Sequence, residues 1–97
     1  MSVTVIAELP FSQQGAQDFI DWSKSDDGYV LTRQFEGFKS IETWLAEDNK
    51  TVFLHQKWTS KDAHQAYLAK RVEGGLMEFL GPRLENEFKV TYFQNAD

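Results

Sequence analysis

The sequence predicts a single small α+β domain, and three observations lead to that prediction. The chain has 97 residues, which is enough for one domain and too few for two. Stretches with the two-residue period of strands alternate with stretches that have the helical period. There is no cysteine, so disulfides, thiolate metal sites and cysteine nucleophiles are excluded. Packing therefore has to hold the domain together.

The first third of the chain predicts a strand followed by a helix in two pieces. Residues 3–9 are almost entirely apolar on both faces, which is typical of a covered sheet, and Pro10 ends the strand. Ser12 is a candidate N-cap for the first helix. Asp27 is a candidate N-cap for a second piece, which Gly37 ends. The apolar spacing predicts these inward side chains: Ala16, Phe19, Ile20, Leu31 and Phe35.

The middle of the chain predicts a β-hairpin. Residues 38–46 and 51–58 alternate in polarity, and the polar segment 47–50 connects them. In the second strand the alternation places Phe38, Ser40, Glu42 and Trp44 on one face. In the third strand it places Val52, Leu54, Gln56 and Trp58 on one face.

The last third predicts a helix and a final strand. Thr59 or Ser60 caps the helix, and the pair Gly74-Gly75 breaks it. A short apolar turn follows, and residues 87–93 form the fourth strand. The resulting order, β-α-β-β-α-β, is the ferredoxin-like split βαβ arrangement with a four-stranded antiparallel sheet.

Apolar side chains on both faces of this sheet predict a homodimer. The helices cover one face, yet the other face also carries large apolar residues, including Phe53 and Phe93. Leaving them in water would create a large apolar patch, and the same face of a second copy is the simplest cover. We therefore expect a dimeric α/β barrel, in which His55 lies near the interface.

Charge and composition exclude several classes of partner. The formal net charge is -5, and the basic residues are scattered, so no nucleic-acid footprint is expected. No apolar run reaches the roughly 20 residues of a membrane span. The N-terminus lacks the basic region of a signal peptide. These features predict a soluble, cytoplasmic protein.

Three landmarks in this order resemble the antibiotic biosynthesis monooxygenase (ABM) domain, a family of dimeric α/β barrels. They are Gly-Phe-Lys-Ser at 37–40, Trp-Thr-Ser-Lys-Asp-Ala-His at 58–64 and Tyr-Leu-Ala-Lys-Arg at 67–71. The last stretch is similar to a quinol monooxygenase subgroup. The family includes cofactor-independent oxygenases of polycyclic phenols, quinol oxidases, haem-degrading enzymes and members with no known activity.

Departures from the family patterns narrow what the resemblance implies. Haem-degrading members have an asparagine in the first strand and a histidine late in the second helix, and this chain has neither. Polyketide-tailoring members have an asparagine four residues before the tryptophan and a tyrosine six residues after it. Here those positions hold Leu54 and His64. The first change removes an orienting hydrogen bond, and the second keeps a polar group.

His64 is the candidate catalytic residue. Its ordinary pKa suits a general base at neutral pH, and the alternative is a solvent-exposed histidine in the first turn of a helix. The candidate substrate-binding residues are Trp58, Tyr67, Arg71, Leu54 and Trp44. Each has a structural alternative: the aromatic residues belong to the core by default, and Arg71 pairs with a surface acid. Phe11, Trp22 and Phe35 are further candidates for the wall of an aromatic pocket.

Two functions remain open at this point. The first is a cofactor-independent monooxygenase or quinol oxidase acting on a small aromatic or quinone-type substrate, with no cofactor and no metal. Nine residues separate His55 from His64 with no evident third ligand, so no metal site is expected. The second is a non-enzymatic ligand-binding or structural homodimer of the same fold. An enzyme should have an apolar cavity of roughly several hundred Å³ with a few convergent polar groups, whereas a filled interior with His64 pointing to solvent favours the binding protein.

Overall fold

An antiparallel sheet with the strand order β2-β3-β1-β4 organises the fold. The computed structural model describes residues 2–97. The elements are β1 (Val3–Pro10), α1 (Gln13–Ser23), α2 (Tyr29–Thr32), β2 (Phe38–Leu45), β3 (Thr51–Trp58), α3 (Lys61–Glu73), α4 (Leu76–Leu80) and β4 (Lys89–Phe93). This order and topology confirm the predicted ferredoxin-like arrangement. None of the helices within residues 2–97 is long and apolar enough to cross a membrane.

The core lies between the sheet and the helices. Its buried side chains come from β1, β3, α1, α4 and the β1–α1 connection: Leu9, Phe11, Ala16, Phe19, Val52 and Leu80. Leu31 was expected to face inward, and this is wrong because 39% of its surface is exposed. The second helical piece is only four residues long, and its buried members are Tyr29 and Thr32.

Side-chain caps begin the two long helices. Ser12 Oγ accepts from Gly15 N at 3.0 Å, as predicted. Of the two candidates for α3, Ser60 is the N-cap, and its Oγ accepts from Ala63 N at 3.1 Å. The prediction that Asp27 caps the second piece is wrong, because Gly28 occupies that position and no side chain caps it.

A bulge at the start of β2 changes the predicted alternation. The register shifts between Phe38 and Ser40, so that Phe38 pairs with Trp58. The two rings meet edge to face with centroids 5.5 Å apart. Phe38 therefore lies on the helix side of the sheet, whereas Trp44 pairs with Phe53 and lies on the opposite side.

The face of the sheet opposite the helices is partly apolar and open. Trp44 and Phe93 are 53% and 48% exposed there. His55 stacks on Trp44 with ring centroids 5.2 Å apart, and its Nδ1 lies 3.5 Å from a carboxylate oxygen of Glu42. This face therefore combines aromatic surface with a few polar groups.

Gly37 is the one glycine that the packing of β2 against α3 directly requires. Its φ is +89°, and a Cβ built there would lie 2.6 Å from Ala63 Cβ and 2.7 Å from Thr59 Oγ1.

We expect Gly37→Ala to lower the free energy of unfolding by about 2 kcal/mol or more, because strain and overlap combine. Gly74→Ala is the matched control, since its nearest neighbour would be 3.4 Å away. Urea denaturation measures both, and equal stabilities would contradict the prediction.

Candidate functional site

His64 lies in the first turn of α3 and is buried against β4. Only 2% of its surface is exposed, so the alternative of a solvent-exposed histidine is wrong. Its Nδ1 lies 2.8 Å from Tyr92 Oη, and its ring meets the edge of Trp58 at a centroid distance of 5.5 Å. A helix and the last strand, distant in sequence, thus place one imidazole inside the domain.

Burial sets the protonation state of this imidazole. Desolvation lowers the pKa of His64 from 6.5 to about 4, so the ring is neutral near pH 7. Burial likewise raises the pKa of Tyr92, so its hydroxyl keeps its proton. The second ring nitrogen of His64, Nε2, forms no hydrogen bond within residues 2–97. A neutral imidazole with one uncommitted nitrogen can exchange a proton with a ligand.

Trp58 forms the wall behind His64. It is fully buried, and its Nε1 donates to Gln56 Oε1 at 3.0 Å. Tyr67 packs on its indole with ring centroids 4.9 Å apart. Gln56 was not among the predicted site residues. Its position in the sequence could have revealed it. A polar residue on the apolar, inward face of a strand requires a hydrogen-bond partner.

Arg71 holds α2 against α3. Its guanidinium donates to the carbonyl oxygens of Asp27 and Gly28 at 2.8 and 2.6 Å, and to Thr32 Oγ1 at 2.8 Å. Its Nε donates to Tyr67 Oη at 3.1 Å, and that hydroxyl is 2.9 Å from Thr32 Oγ1. The sequence made Arg71 and Tyr67 candidate substrate-binding residues. The structure instead commits this guanidinium to protein groups, and its partners are backbone carbonyls rather than a surface acid.

An apolar cavity of about 50 Å³ lies between the sheet and α3. Of the predicted site residues, His64, Tyr67 and Leu54 line it. Its other polar lining groups are Gln56 and Tyr29, and no Asp, Glu, Lys or Arg of residues 2–97 lines it. Cavities that admit benzene are on the order of 150 Å³, so this one holds only a few water molecules.

Trp44 does not lie at this cavity, which corrects the prediction that it lines the same pocket. It pairs in register with Phe53, on the sheet face that points away from the helices. The alternation in β2 puts it there, because Thr43, its neighbour in sequence, is the one that faces inward and bonds to Tyr29. Among residues 2–97 there is no group of three His, Asp or Glu side chains that could hold a metal ion.

A surface groove of about 490 Å³ adjoins the cavity. Trp22 and Leu76 line both spaces, so these two side chains separate them. Trp22 stacks on Phe79 with ring centroids 5.3 Å apart, and the Arg71 guanidinium lies 5.3 Å from the centre of its ring. Lys70 is at the solvent side of the groove.

Solved structures of monooxygenases share this architecture. A monooxygenase from the gene ActVA-Orf6 of Streptomyces coelicolor, solved with the ligand nanaomycin D, is 19% identical with a TM-score of 0.78 over 99% of this chain and 88% of its own. A structure named as an antibiotic biosynthesis monooxygenase is 11% identical, with a TM-score of 0.81 over 98% of this chain and 99% of its own. This chain has the ABM fold.

A third ABM-fold structure extends the comparison. SnoaB, a cofactor-independent oxygenase from Streptomyces nogalater, is 13% identical, with a TM-score of 0.75 over 99% of this chain and 94% of its own. No protein-family model matches the chain, and no curated protein matches it. At these identities the likeness establishes the fold, and the chemistry has to be argued from this chain's own residues.

Titration of His64 predicts how stability depends on pH. Its folded-state pKa of about 4 lies below the ordinary 6.5, so the unfolded chain binds a proton that the folded chain excludes. The stabilisation is therefore complete above pH 6.5 and is lost as the pH falls toward 4. We expect this contribution to be on the order of 2–3 kcal/mol. His64→Gln removes it and flattens the pH dependence of the unfolding free energy.

His55→Gln is the matched control, since it changes the only other histidine in the chain, which lies on the opposite sheet face. Denaturant titrations at several values between pH 4 and pH 7 give the slope for each protein. A wild-type slope that His64→Gln leaves intact would show that His64 is not held neutral.

Proposed function

We propose that this protein is a cofactor-independent monooxygenase or quinol oxidase that acts on a small aromatic or quinone-type substrate. The observation that carries the proposal is His64, a buried and neutral imidazole on an apolar cavity inside a fold that named monooxygenases share. Buried titratable groups with perturbed pKa values concentrate at functional sites. The cavity's apolar wall suits an aromatic ring.

The reaction class needs no cofactor because the substrate supplies the electrons. A quinol gives two electrons and two protons to O₂, which yields the quinone and H₂O₂. A CH₂ group that is activated by adjoining aromatic rings reacts with O₂ to give a carbonyl and one water, so that one oxygen atom enters the product. Both reactions begin when a phenol or enol loses its proton, because the anion is the electron-rich form that reduces O₂.

His64 would accept that proton at Nε2, in the tautomer whose Nδ1–H donates to Tyr92 Oη. A free-enzyme pKa of about 4 makes this transfer uphill from a phenol. The phenolate would form beside the new imidazolium in a cavity of low dielectric, and their attraction offsets part of the difference. Trp58 would hold the imidazole in place, and Leu54 and Tyr67 would shape the pocket. Arg71 would position the pocket indirectly, through its hydrogen bonds to Tyr67 and to the backbone that precedes α2.

Substrate entry would require the site to open. The cavity of about 50 Å³ is smaller than a benzene ring needs, whereas the adjoining groove has about 490 Å³. Displacing Trp22 and Leu76 would merge the two spaces. An aromatic ligand would then exchange its contacts with water for contacts with aromatic side chains.

Oxygen uptake tests the proposed activity. With a hydroquinone and naphthol panel and no added flavin or metal, we expect uptake that His64→Gln reduces about 100-fold or more in kcat/KM, as for loss of a general base. His55→Gln should keep the wild-type rate. The acid limb of the kcat/KM profile should have a pKa near 4 rather than 6.5, because the free enzyme titrates there. Absence of uptake across the panel, or an unchanged rate in His64→Gln, would rule out this assignment.

A second function, a non-enzymatic ligand-binding or structural homodimer, is favoured by the small volume of the cavity. A site of about 50 Å³ has room for little more than a few water molecules, as expected for a closely packed structural core. Aromatic binding without oxygen uptake would identify a ligand-binding protein. If the protein shows neither aromatic binding nor oxygen uptake, the structural role is the one that remains.

The open sheet face supports a homodimer as the working form. Phe53 lies on the same face as Trp44 and Phe93, and the latter two are about half exposed in the single chain. Pairing two such faces would bury these aromatic side chains, and an obligate interface of roughly 2,000 Å² or more would follow. His55 and Glu42 would then lie within the interface, where they keep each other as polar partners.

Sedimentation at micromolar concentration tests the dimer. We expect twice the chain mass of 11.2 kDa for the wild type. Phe53→Glu should shift the protein toward monomer, because it places a charge in the middle of the proposed interface. Val72→Glu is the control, since Val72 is 45% exposed on α3, away from that face. A folded wild-type protein that sediments at the single-chain mass would exclude the dimer.

A further inference from the structure

Gln56 has an orientation that one hydrogen bond determines. The side chain is 3% exposed and lies on β3 between its register partners Val5 and Ile41. Trp58 Nε1 donates to its Oε1 at 3.0 Å. An indole nitrogen can only donate, so the amide oxygen has to face Trp58. The amide nitrogen, with its two N–H groups, therefore points the other way.

The amide nitrogen of Gln56 has no protein partner in the described part of the chain and is not fully enclosed. Its N–H groups donate to no group within residues 2–97. In the same part of the chain there is no fully enclosed side-chain nitrogen or oxygen that lacks a partner, so this nitrogen must touch open space. Gln56 lines the cavity that His64 also lines. A donor without a protein partner, on a residue that lines a cavity, is a group that a ligand can satisfy.

We propose that Gln56 binds the ligand, and that its amide N–H donates to a carbonyl or phenolate oxygen on an aromatic ring. The proposal rests on the proposed function for its aromatic ligand and adds the polar group that this ligand must carry. Toward the cavity, Gln56 presents only hydrogen-bond donors. His64 presents a nitrogen that can take a proton. The ligand class that satisfies both has an acceptor oxygen and an ionisable hydroxyl, as in hydroxyquinones and acylphenols.

The absence of charge in the cavity lining supports a neutral ligand of this kind. Within residues 2–97 the lining contains no Asp, Glu, Lys or Arg, and Arg71 is committed to the carbonyls of Asp27 and Gly28. A carboxylate or ammonium group placed there would lose its hydration without a counter-charge. A carbonyl oxygen needs only the hydrogen bond that Gln56 supplies. A plain hydrocarbon would leave the amide without a partner.

Nuclear magnetic resonance of the side-chain amides tests the proposal, with 1,4-naphthoquinone as the probe and naphthalene as its oxygen-free match. We expect naphthoquinone to shift both Gln56 side-chain N–H resonances, whereas naphthalene leaves them in place. Gln56→Met, close in volume but without donors, should bind naphthoquinone about tenfold more weakly and naphthalene with little change. Gln34→Met, at an exposed position, is the control.

Each outcome of this experiment decides one proposal. Naphthoquinone binding that leaves the Gln56 resonances unshifted, or equal affinity in Gln56→Met, overturns the role of Gln56. Failure of naphthoquinone to bind overturns it as well. Binding through Gln56 without oxygen uptake upholds the inference and overturns the oxygenase. The resonance shift is read on the wild-type protein, so the test holds even if Gln56→Met does not fold.

Discussion

The burial of Trp58 at the end of β3 is the constraint on which the candidate site depends. Its indole contacts His64 and Tyr67 on α3 and Phe38 on β2, and its N–H fixes the amide of Gln56. A side chain of this size, with no exposed surface, leaves its neighbours little freedom. The strand end, the helix start and the orientations of His64 and Gln56 are therefore coupled through one residue.

Local patterns were sufficient to predict the elements, and only the assembled fold shows where their side chains point. The hairpin, the Ser12 cap and the order of the strands and long helices along the chain follow from alternation, turn chemistry and spacing, which are all local in sequence. The exposure of Leu31 depends on the length of α2, which capping patterns did not define. The inward turn of Phe38 depends on a bulge, a one-residue change in pairing that alternation alone does not reveal.

The site was only partly predictable, because its decisive contacts join residues far apart in sequence. His64 was singled out for its chemistry, but its low pKa depends on burial and its Nδ1 partner is Tyr92, 28 residues away. Arg71 was predicted to meet a substrate, yet it meets backbone carbonyls 43 and 44 residues away. Backbone acceptors have no sequence signature. Residue type alone therefore could not show whether Arg71 binds a substrate or holds two parts of the fold together.

The electrostatic character of the cavity unites these observations. Since the fold commits the charge of Arg71 to α2, it leaves His64 as the only lining group of residues 2–97 that titrates below neutral pH. Any anion formed in this cavity must therefore arise together with the imidazolium that balances it, and the two charges attract strongly where water is excluded. Gln56 can stabilise the same anion through its N–H groups without adding charge. In the proposed reaction, such a site would bind a neutral molecule and ionise it in place.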